Sequence, residues 1–163
     1  MTIKQLFSFP NPVNEVSARL VAGGVVVLGL ATILVAEPWL VALLAYGFVA
    51  RVLSGPTLSP LGQLVTRVIT PALPFVPKYV AGPPKRFAQG IGATFSVGAV
   101  IAWAGFGATT VMYVLVAAIV AAATLESVFA LCLGCKVFAL LMRIGLIPDE
   151  VCERCNDIRG VPA

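Results

Sequence analysis

The four cysteines of the chain lie near its C-terminal end as two Cys-x-x-Cys pairs. The first pair is Cys132 and Cys135, and the second is Cys152 and Cys155. Pairs with this spacing are typical of zinc sites, in which four thiolates surround one metal ion. They are also typical of thiol reaction centres, in which neighbouring sulfurs exchange electrons or a sulfur atom. The chain has no histidine, so the commonest metal ligand and the usual general base are absent.

The zinc interpretation assigns all four cysteines to one structural site, and distances along the chain work against it. If residues 136–146 form a helix, Cys135 lies roughly 16 Å from the turn at Pro148. A short returning helix would place Cys155 only roughly 10 Å from the same turn. The two pairs therefore meet only if the chain is extended after Pro148, or if the helix breaks at a glycine.

The thiol interpretation depends on the first pair. Cysteines three residues apart on a helix share a face, so Cys132 and Cys135 can oxidise together or hold one sulfur atom between them. A helix break at Gly134 would put Cys135 at a helix start, where the helix dipole and Lys136 lower the pKa of its thiol. The second pair is more polar and could relay electrons or sulfur onward. Thiol chemistry, zinc binding and simple space filling stay open at this point.

Glu126 is the one carboxylate deep within an apolar segment. An acid at such depth in a membrane is costly and usually has a partner or a function. Arg19 and Arg51 lie toward the same membrane side, so we expect one of them to form an ion pair with it. A proton or anion pathway through Glu126 is the alternative. On a straight helix Glu126 and Cys132 point about 120° apart, so direct proton exchange would need a kink.

The composition places these residues in a membrane protein. The 163 residues are 60% hydrophobic and 11% charged, and the mean hydropathy is +1.01. Soluble domains carry roughly a quarter charged residues, so we expect the lipid bilayer to surround this chain. There is no phosphate-binding glycine loop, and the net charge of +4 flanks apolar segments rather than an aromatic-basic surface. We therefore expect no nucleic-acid partner.

The elements that must position the cysteines are predicted to be helices. We predict an all-α membrane protein with four hydrophobic membrane segments, an interfacial amphipathic helix and a cytoplasmic, Cys-containing C-terminal tail. The predicted divisions are an N-terminal segment (1–18), a first membrane hairpin (19–53), a Pro-rich interfacial segment (54–87), a second membrane hairpin with an extended last helix (88–147) and the tail (148–163). Whether the short second segment crosses fully or is re-entrant is left open.

The interfacial helix is predicted over residues 61–70, where apolar side chains recur at helical spacing. Ser59 is its predicted N-cap, Pro60 fits its first turn and Pro71 is predicted to end it. It either lies flat in the membrane interface or packs on the bundle as a lid.

The distribution of basic residues predicts the orientation. In this arrangement all 11 Lys and Arg residues fall on one side, because the turns after the first and third segments hold none. The positive-inside rule then places both termini in the cytoplasm, which we expect to be that of a bacterium with this chain in its cytoplasmic membrane. Thiols are kept reduced there, so permanent disulfides are not expected.

The chain resembles a bacterial domain-of-unknown-function family of small multi-span membrane proteins over roughly residues 8–145. The resemblance rests on Asn-Pro-Val-Asn-Glu at residues 11–15 followed by Arg19, and on Leu125-Glu126 followed by Cys-Leu-Gly-Cys at residues 132–135. Members of that family occur near thioredoxin-like and sulfurtransferase proteins, which implies thiol-redox or sulfur chemistry with a partner of either kind. A looser similarity, of size and topology, is to DoxX-type four-helix proteins.

The sequence thus predicts a membrane protein with a thiol-redox or sulfur-relay function at Cys132 and Cys135. One alternative is a structural or assembly subunit whose four cysteines bind zinc, the one cofactor that the residues suggest. Another is a small transporter for a sulfur anion that uses Glu126 and Arg51. Whether the chain is an enzyme is left open. Four short membrane segments bury little surface, so we also expect a homo-oligomer or a subunit of a larger membrane complex.

Overall fold

The computed structural model describes residues 9–152, without the side chains of residues 149 and 152. It is all-α apart from one antiparallel pair of two-residue strands. In chain order the elements are β1 (Val13–Asn14), α1 (Glu15–Leu34), α2 (Leu40–Ser54), α3 (Pro60–Leu64), a π-helical turn (Val65–Ile69), α4 (Thr70–Ala72), β2 (Tyr79–Val80), α5 (Gly82–Val100) with a π-helical turn (Ile101–Gly105), α6 (Thr109–Phe129), α7 (Leu133–Arg143) and a 3-10 turn (Asp149–Cys152).

Three helical segments among the described residues are long and apolar enough to cross a membrane: α1, α6 and the segment Gly82–Gly105. The 20 residues of α1 rise about 30 Å, which matches the hydrocarbon thickness of a bilayer. The 15 residues of α2 rise only about 22 Å. Where the sequence predicts four membrane segments, the structure therefore has three long helices and one shorter apolar helix.

The helices pack as a bundle in which α1 lies along α6, α2 lies along α5, and α5 also contacts α6. One buried cluster joins Val25 of α1, Leu44 and Phe48 of α2, and Ile119 of α6. A second cluster joins α2, α5 and α6 through Val41, Ala99 and Met112. Many large apolar side chains on the outer faces are exposed, as expected of a surface that contacts lipid.

The segment after α2 packs on the bundle. Ser59 accepts a hydrogen bond from the backbone N–H of Gly62 at 3.2 Å, so it is the N-cap of α3 as the sequence predicts. Leu61 packs against the core cluster beside α1, and Val65 is buried. The helical segment ends at Ala72, one residue beyond Pro71, so the predicted end is confirmed to within one residue.

The Lys and Arg residues of the described part of the chain gather at one end of the bundle. β1 pairs with β2 there, and Lys78 and Glu15 form an ion pair of 3.0 Å, which joins the start of α1 to the start of α5. The turns at the opposite end, residues 35–39 and 106–108, contain no Lys or Arg. The charge asymmetry of the sequence is therefore also an asymmetry along the bundle axis.

The last predicted helix is interrupted before the first cysteine. α6 ends at Phe129, and Ala130 adopts a left-handed conformation with φ of 56°. The N–H of Leu131 then bonds to the carbonyl of Leu125 at 3.0 Å, which closes the end of α6. The prediction of one extended helix was therefore wrong. The chain turns so that α7 can pack on α5, where Phe138 contacts Phe87 with ring centres 5.6 Å apart.

Candidate functional site: two thiols beside a buried ion pair

Cys132 and Cys135 lie at the start of α7. Cys132 is the N-cap residue, with an extended backbone, and its side chain is 8% exposed. Cys135 lies in the first turn and is partly exposed, and both thiols are free. Between them, Gly134 faces Ala88 of α5 so closely that an added Cβ would lie 2.5 Å from the Ala88 Cα. The glycine therefore lets α7 approach α5 and holds both sulfurs against that helix.

Beside the thiols lies a buried ion pair between Lys85 and Glu126. Lys85 Nζ is 2.6 Å from Glu126 Oε1, and the two side chains are 11% and 15% exposed. The first turn of α5 supplies the lysine and the last turn of α6 supplies the acid. The ion-pair partner of Glu126 is therefore Lys85, rather than Arg19 or Arg51 as predicted.

Lys85 was not among the predicted site residues, because the predicted Pro-rich segment (54–87) contains it. In the structure α5 begins at Gly82, several residues earlier than the predicted hairpin, and this brings Lys85 into the bundle. The signal for this start was present, since Pro83 and Pro84 occupy the first turn, where prolines are favoured.

Arg19 bonds to backbone carbonyls at the end of α6 instead. Its Nη2 donates to the carbonyl oxygen of Ser127 at 3.0 Å and to that of Val128 at 3.2 Å. These carbonyls belong to the last turn of α6, where the helix dipole favours a cation. Arg19 therefore stabilises the end of α6, directly before the break that creates the cysteine N-cap.

Arg51 is buried among neutral partners. It is 5% exposed, and its Nε donates to Gln89 Oε1 at 2.9 Å. Nη1 lies 3.4 Å from Ser59 Oγ, and the guanidinium lies 4.6 Å from the ring centre of Phe48. Nη2 has no hydrogen-bond partner within residues 9–152.

The two thiols differ in acidity. Hydrogen bonding between their side chains lowers the pKa of Cys132 and raises that of Cys135. Burial and the charge of Glu126 oppose the lowering at Cys132, and the charge of Lys85 supports it. Cys132 therefore ionises first, with the thiol of Cys135 as hydrogen-bond donor. The sequence prediction gave the lowered pKa to Cys135 on the condition that the helix breaks at Gly134; the helix begins instead at Leu133, directly after Cys132.

Two cavities meet at Cys132. An open cleft of about 390 Å³ is lined by both cysteines together with Lys85, Lys136 and Glu15. A more apolar cavity of about 350 Å³ is lined by Cys132, Gly134 and Glu126, and by apolar side chains of α1, α5 and α6. The cleft gives a reagent or a partner side chain a route to both sulfurs.

The zinc prediction requires residues beyond this site. Among the described residues, no group of three or more Cys, His, Asp or Glu side chains is placed to hold a metal ion. The side chain of Cys152 and the whole of Cys155 lie outside the described part of the chain. The four-cysteine zinc site therefore stays a prediction, to which Cys132 and Cys135 would contribute two of the four ligands.

Comparison with known proteins gives one match. Residues 13–143 match the model of a family described as a domain of unknown function, DUF4395. The matched region contains the first cysteine pair with Lys85 and Glu126, and it ends before the second pair. No curated protein and no solved structure matches the chain.

Proposed function

The chain belongs to this domain-of-unknown-function family, and from that premise we propose that it is a membrane protein that exchanges thiols and disulfides through Cys132 and Cys135. The observation that carries the proposal is the placement of two adjacent free thiols at a helix start, in an open cleft that Lys85 also lines. Thiol–disulfide exchange needs one thiolate that attacks and one neighbouring thiol that resolves the intermediate. The open cleft at both sulfurs supports access for a thioredoxin-like partner.

The proposed reaction begins with the Cys132 thiolate, which attacks one sulfur of a partner disulfide. A mixed disulfide forms, the partner's second sulfur leaves as a thiolate and it takes up a proton. The charge of Cys132 is then gone, so one cause of the raised pKa of Cys135 disappears. Cys135 loses its proton and attacks Cys132 Sγ, and the partner's first sulfur leaves and is protonated. Two electrons have passed to the partner, and a second dithiol protein would restore the Cys132–Cys135 pair.

A trapping experiment tests this assignment. Cys135→Ser keeps a hydrogen-bond donor beside Cys132, so the first attack proceeds and the mixed disulfide accumulates. Cys132→Ser removes the attacking thiolate and should trap no partner. Both purified variants, each in a chain with Cys152 and Cys155 also replaced by serine, are incubated with a thioredoxin that keeps one of its two active-site cysteines, activated as a mixed disulfide with thionitrobenzoate, and are analysed by intact mass. Equal trapping by the two variants, or no reaction of the unmodified protein, would contradict the assignment.

Mass and uptake measurements distinguish the other predicted functions. A gain of one sulfur atom at Cys132 after treatment with a persulfide donor would favour a sulfur relay with a sulfurtransferase. One zinc ion per chain, lost in the Cys132→Ser variant, would favour the structural subunit with a four-cysteine site. Uptake of a sulfur anion into liposomes that is lost in Glu126→Gln would favour the transporter.

The proposal includes a topology: four crossings of a bacterial cytoplasmic membrane, with both termini and the dithiol in the cytoplasm. It is supported by the basic residues at one end of the bundle. It is also supported by α7, which exposes Leu133, Val137 and Leu140 together with Lys136 and Arg143, as a helix in the membrane interface would. Labelling of Cys132 or Cys135 by a membrane-impermeant maleimide on intact cells would refute this topology.

A further inference from the structure

A third cavity, of about 580 Å³, lies between α1, the segment after α2 and the start of α5. We call it the Arg51 cavity. Its polar lining includes Arg51, Lys85, Gln89, Ser17, Thr66 and Thr70. Prolines and the side chains of Phe9, Phe75 and Tyr79 supply an apolar wall. Its size is that of a small-molecule site.

The charge of this cavity is unbalanced. Its described lining contains two cations, Arg51 and Lys85, and no acidic side chain. Lys85 is paired with Glu126, which does not line the cavity. The carboxylate of Glu126 is therefore shared between two buried cations, Lys85 and Arg51. The hydrogen-bond partners of Arg51 are the neutral side chains of Gln89 and Ser59.

Burial raises the free-energy cost of this charge imbalance. Arg51 is 5% exposed, and within the described chain its Nη2 donates to nothing. Two buried cations that share one carboxylate leave a positive charge uncompensated, and each unused donor adds to its desolvation cost. An anion bound in the cavity would balance this charge, because carboxylate and phosphate oxygens match the donor fork of a guanidinium.

We infer that the Arg51 cavity binds an amphipathic organic anion, with a carboxylate or phosphate head at Arg51 and its apolar body along the aromatic and proline-rich wall. The ligand chemistry follows from the lining, since a buried cation selects an anionic head and apolar side chains select an apolar body. The ligand would come either from the membrane, as an anionic phospholipid, or from solution, as a free long-chain acid. This inference is independent of the thiol chemistry and does not involve the cysteines.

The first test needs no variant. The full chain is purified in a neutral detergent and stripped of lipid, and ligands that differ in head group are compared by native mass spectrometry and thermal unfolding. Dodecanoate is compared with dodecanol, and phosphatidylglycerol with phosphatidylcholine. We expect the anionic member of each pair to bind and to raise the Tm. Equal effects of the anionic and neutral members, or no binding of either anion, would overturn the inference.

The second test places the site. Arg51→Gln should weaken binding of the anion by about ten- to a hundredfold, because a charged hydrogen-bond donor is lost. Arg67→Gln is the matched control, since Arg67 is an exposed cation of the neighbouring π-helical turn that does not line the cavity. Equal weakening by both variants would mean that general surface charge attracts the ligand and that the site is wrong. Binding of dodecanoate alone assigns a free acid as the source, and binding of phosphatidylglycerol alone assigns the membrane.

Discussion

Replacing Gly134 by alanine should move the two thiols relative to the charged side chains of Lys85 and Glu126. The added Cβ would lie 2.5 Å from both the Cα and the Cβ of Ala88, whereas ordinary contact begins at 3.4 Å. The start of α7 must therefore move away from α5 by roughly 0.9 Å, because backbone atoms cannot yield as a flexible side chain can. Lys85 lies on α5 one turn before Ala88, so it does not move with α7.

The movement should change both reactivity and stability. Cys132 moves relative to Lys85 and Glu126, whose charges shift the pKa of its thiol in opposite directions, so the pH profile of its reactivity should change. Overpacking of this kind typically costs about 1–3 kcal/mol, so the Tm should also fall. The assay is the alkylation rate of Cys132 by iodoacetamide between pH 5 and 9, with each cysteine followed by peptide mass.

The matched control is Gly90→Ala on α5, the helix against which Gly134 packs. An added Cβ there meets no atom within 4 Å, so neither the pH profile nor the packing should change, and alanine in place of glycine favours a helix. If Gly134→Ala and Gly90→Ala had the same pH profile and the same Tm, close packing of α7 on α5 would not be what positions the thiols.

Four further predictions concern this site and the end of α6 beside it. Lys85→Gln should slow alkylation of Cys132 at neutral pH and Glu126→Gln should accelerate it, each on the order of three- to tenfold, because the two charges shift the thiol pKa in opposite directions. Lys85→Gln should also be less stable to chemical unfolding than the double variant Lys85→Gln/Glu126→Gln, by roughly 3 kcal/mol. The reason is that the single change leaves the carboxylate of Glu126 buried and unpaired. Equal stability of the two variants would mean that water solvates the pair. Cys135→Ala should move the pH profile of Cys132 alkylation to higher pH, because the Cys132 thiolate loses the hydrogen bond that lowers its pKa. An unchanged profile would mean that Cys135 does not stabilise the Cys132 thiolate. Arg19→Gln should cost about 1 kcal/mol and speed amide hydrogen exchange in the last turn of α6, where two carbonyls lose their donor; unchanged exchange there would contradict this capping role.

Much of the architecture could be predicted because its causes are local in the chain. Apolar runs of membrane length predict the long helices, and the restriction of Lys and Arg to certain connections predicts a bundle with one basic end. Ser59 followed by Pro60 predicts the start of α3, because an N-cap hydroxyl and a proline each satisfy needs of the first turn alone. The pairing of Cys132 with Cys135 likewise follows from their spacing of three residues.

The activating environment of those cysteines was decided by tertiary contacts. The break at Ala130 carries no local signal, since alanine favours helices and a left-handed alanine is strained. It is stabilised by contacts made elsewhere, by Arg19 on the end of α6 and by Gly134 against Ala88.

The partner of Glu126 is decided in the same way. Lys85 lies 41 positions away in the chain, and only the packing of α5 on α6 brings the two charges to 2.6 Å. The sequence by itself therefore determined which helices form, where the basic end lies and which sulfurs are neighbours. Only the tertiary structure decided which charges those sulfurs experience, because electrostatic interactions depend on distance in space and not on separation along the chain.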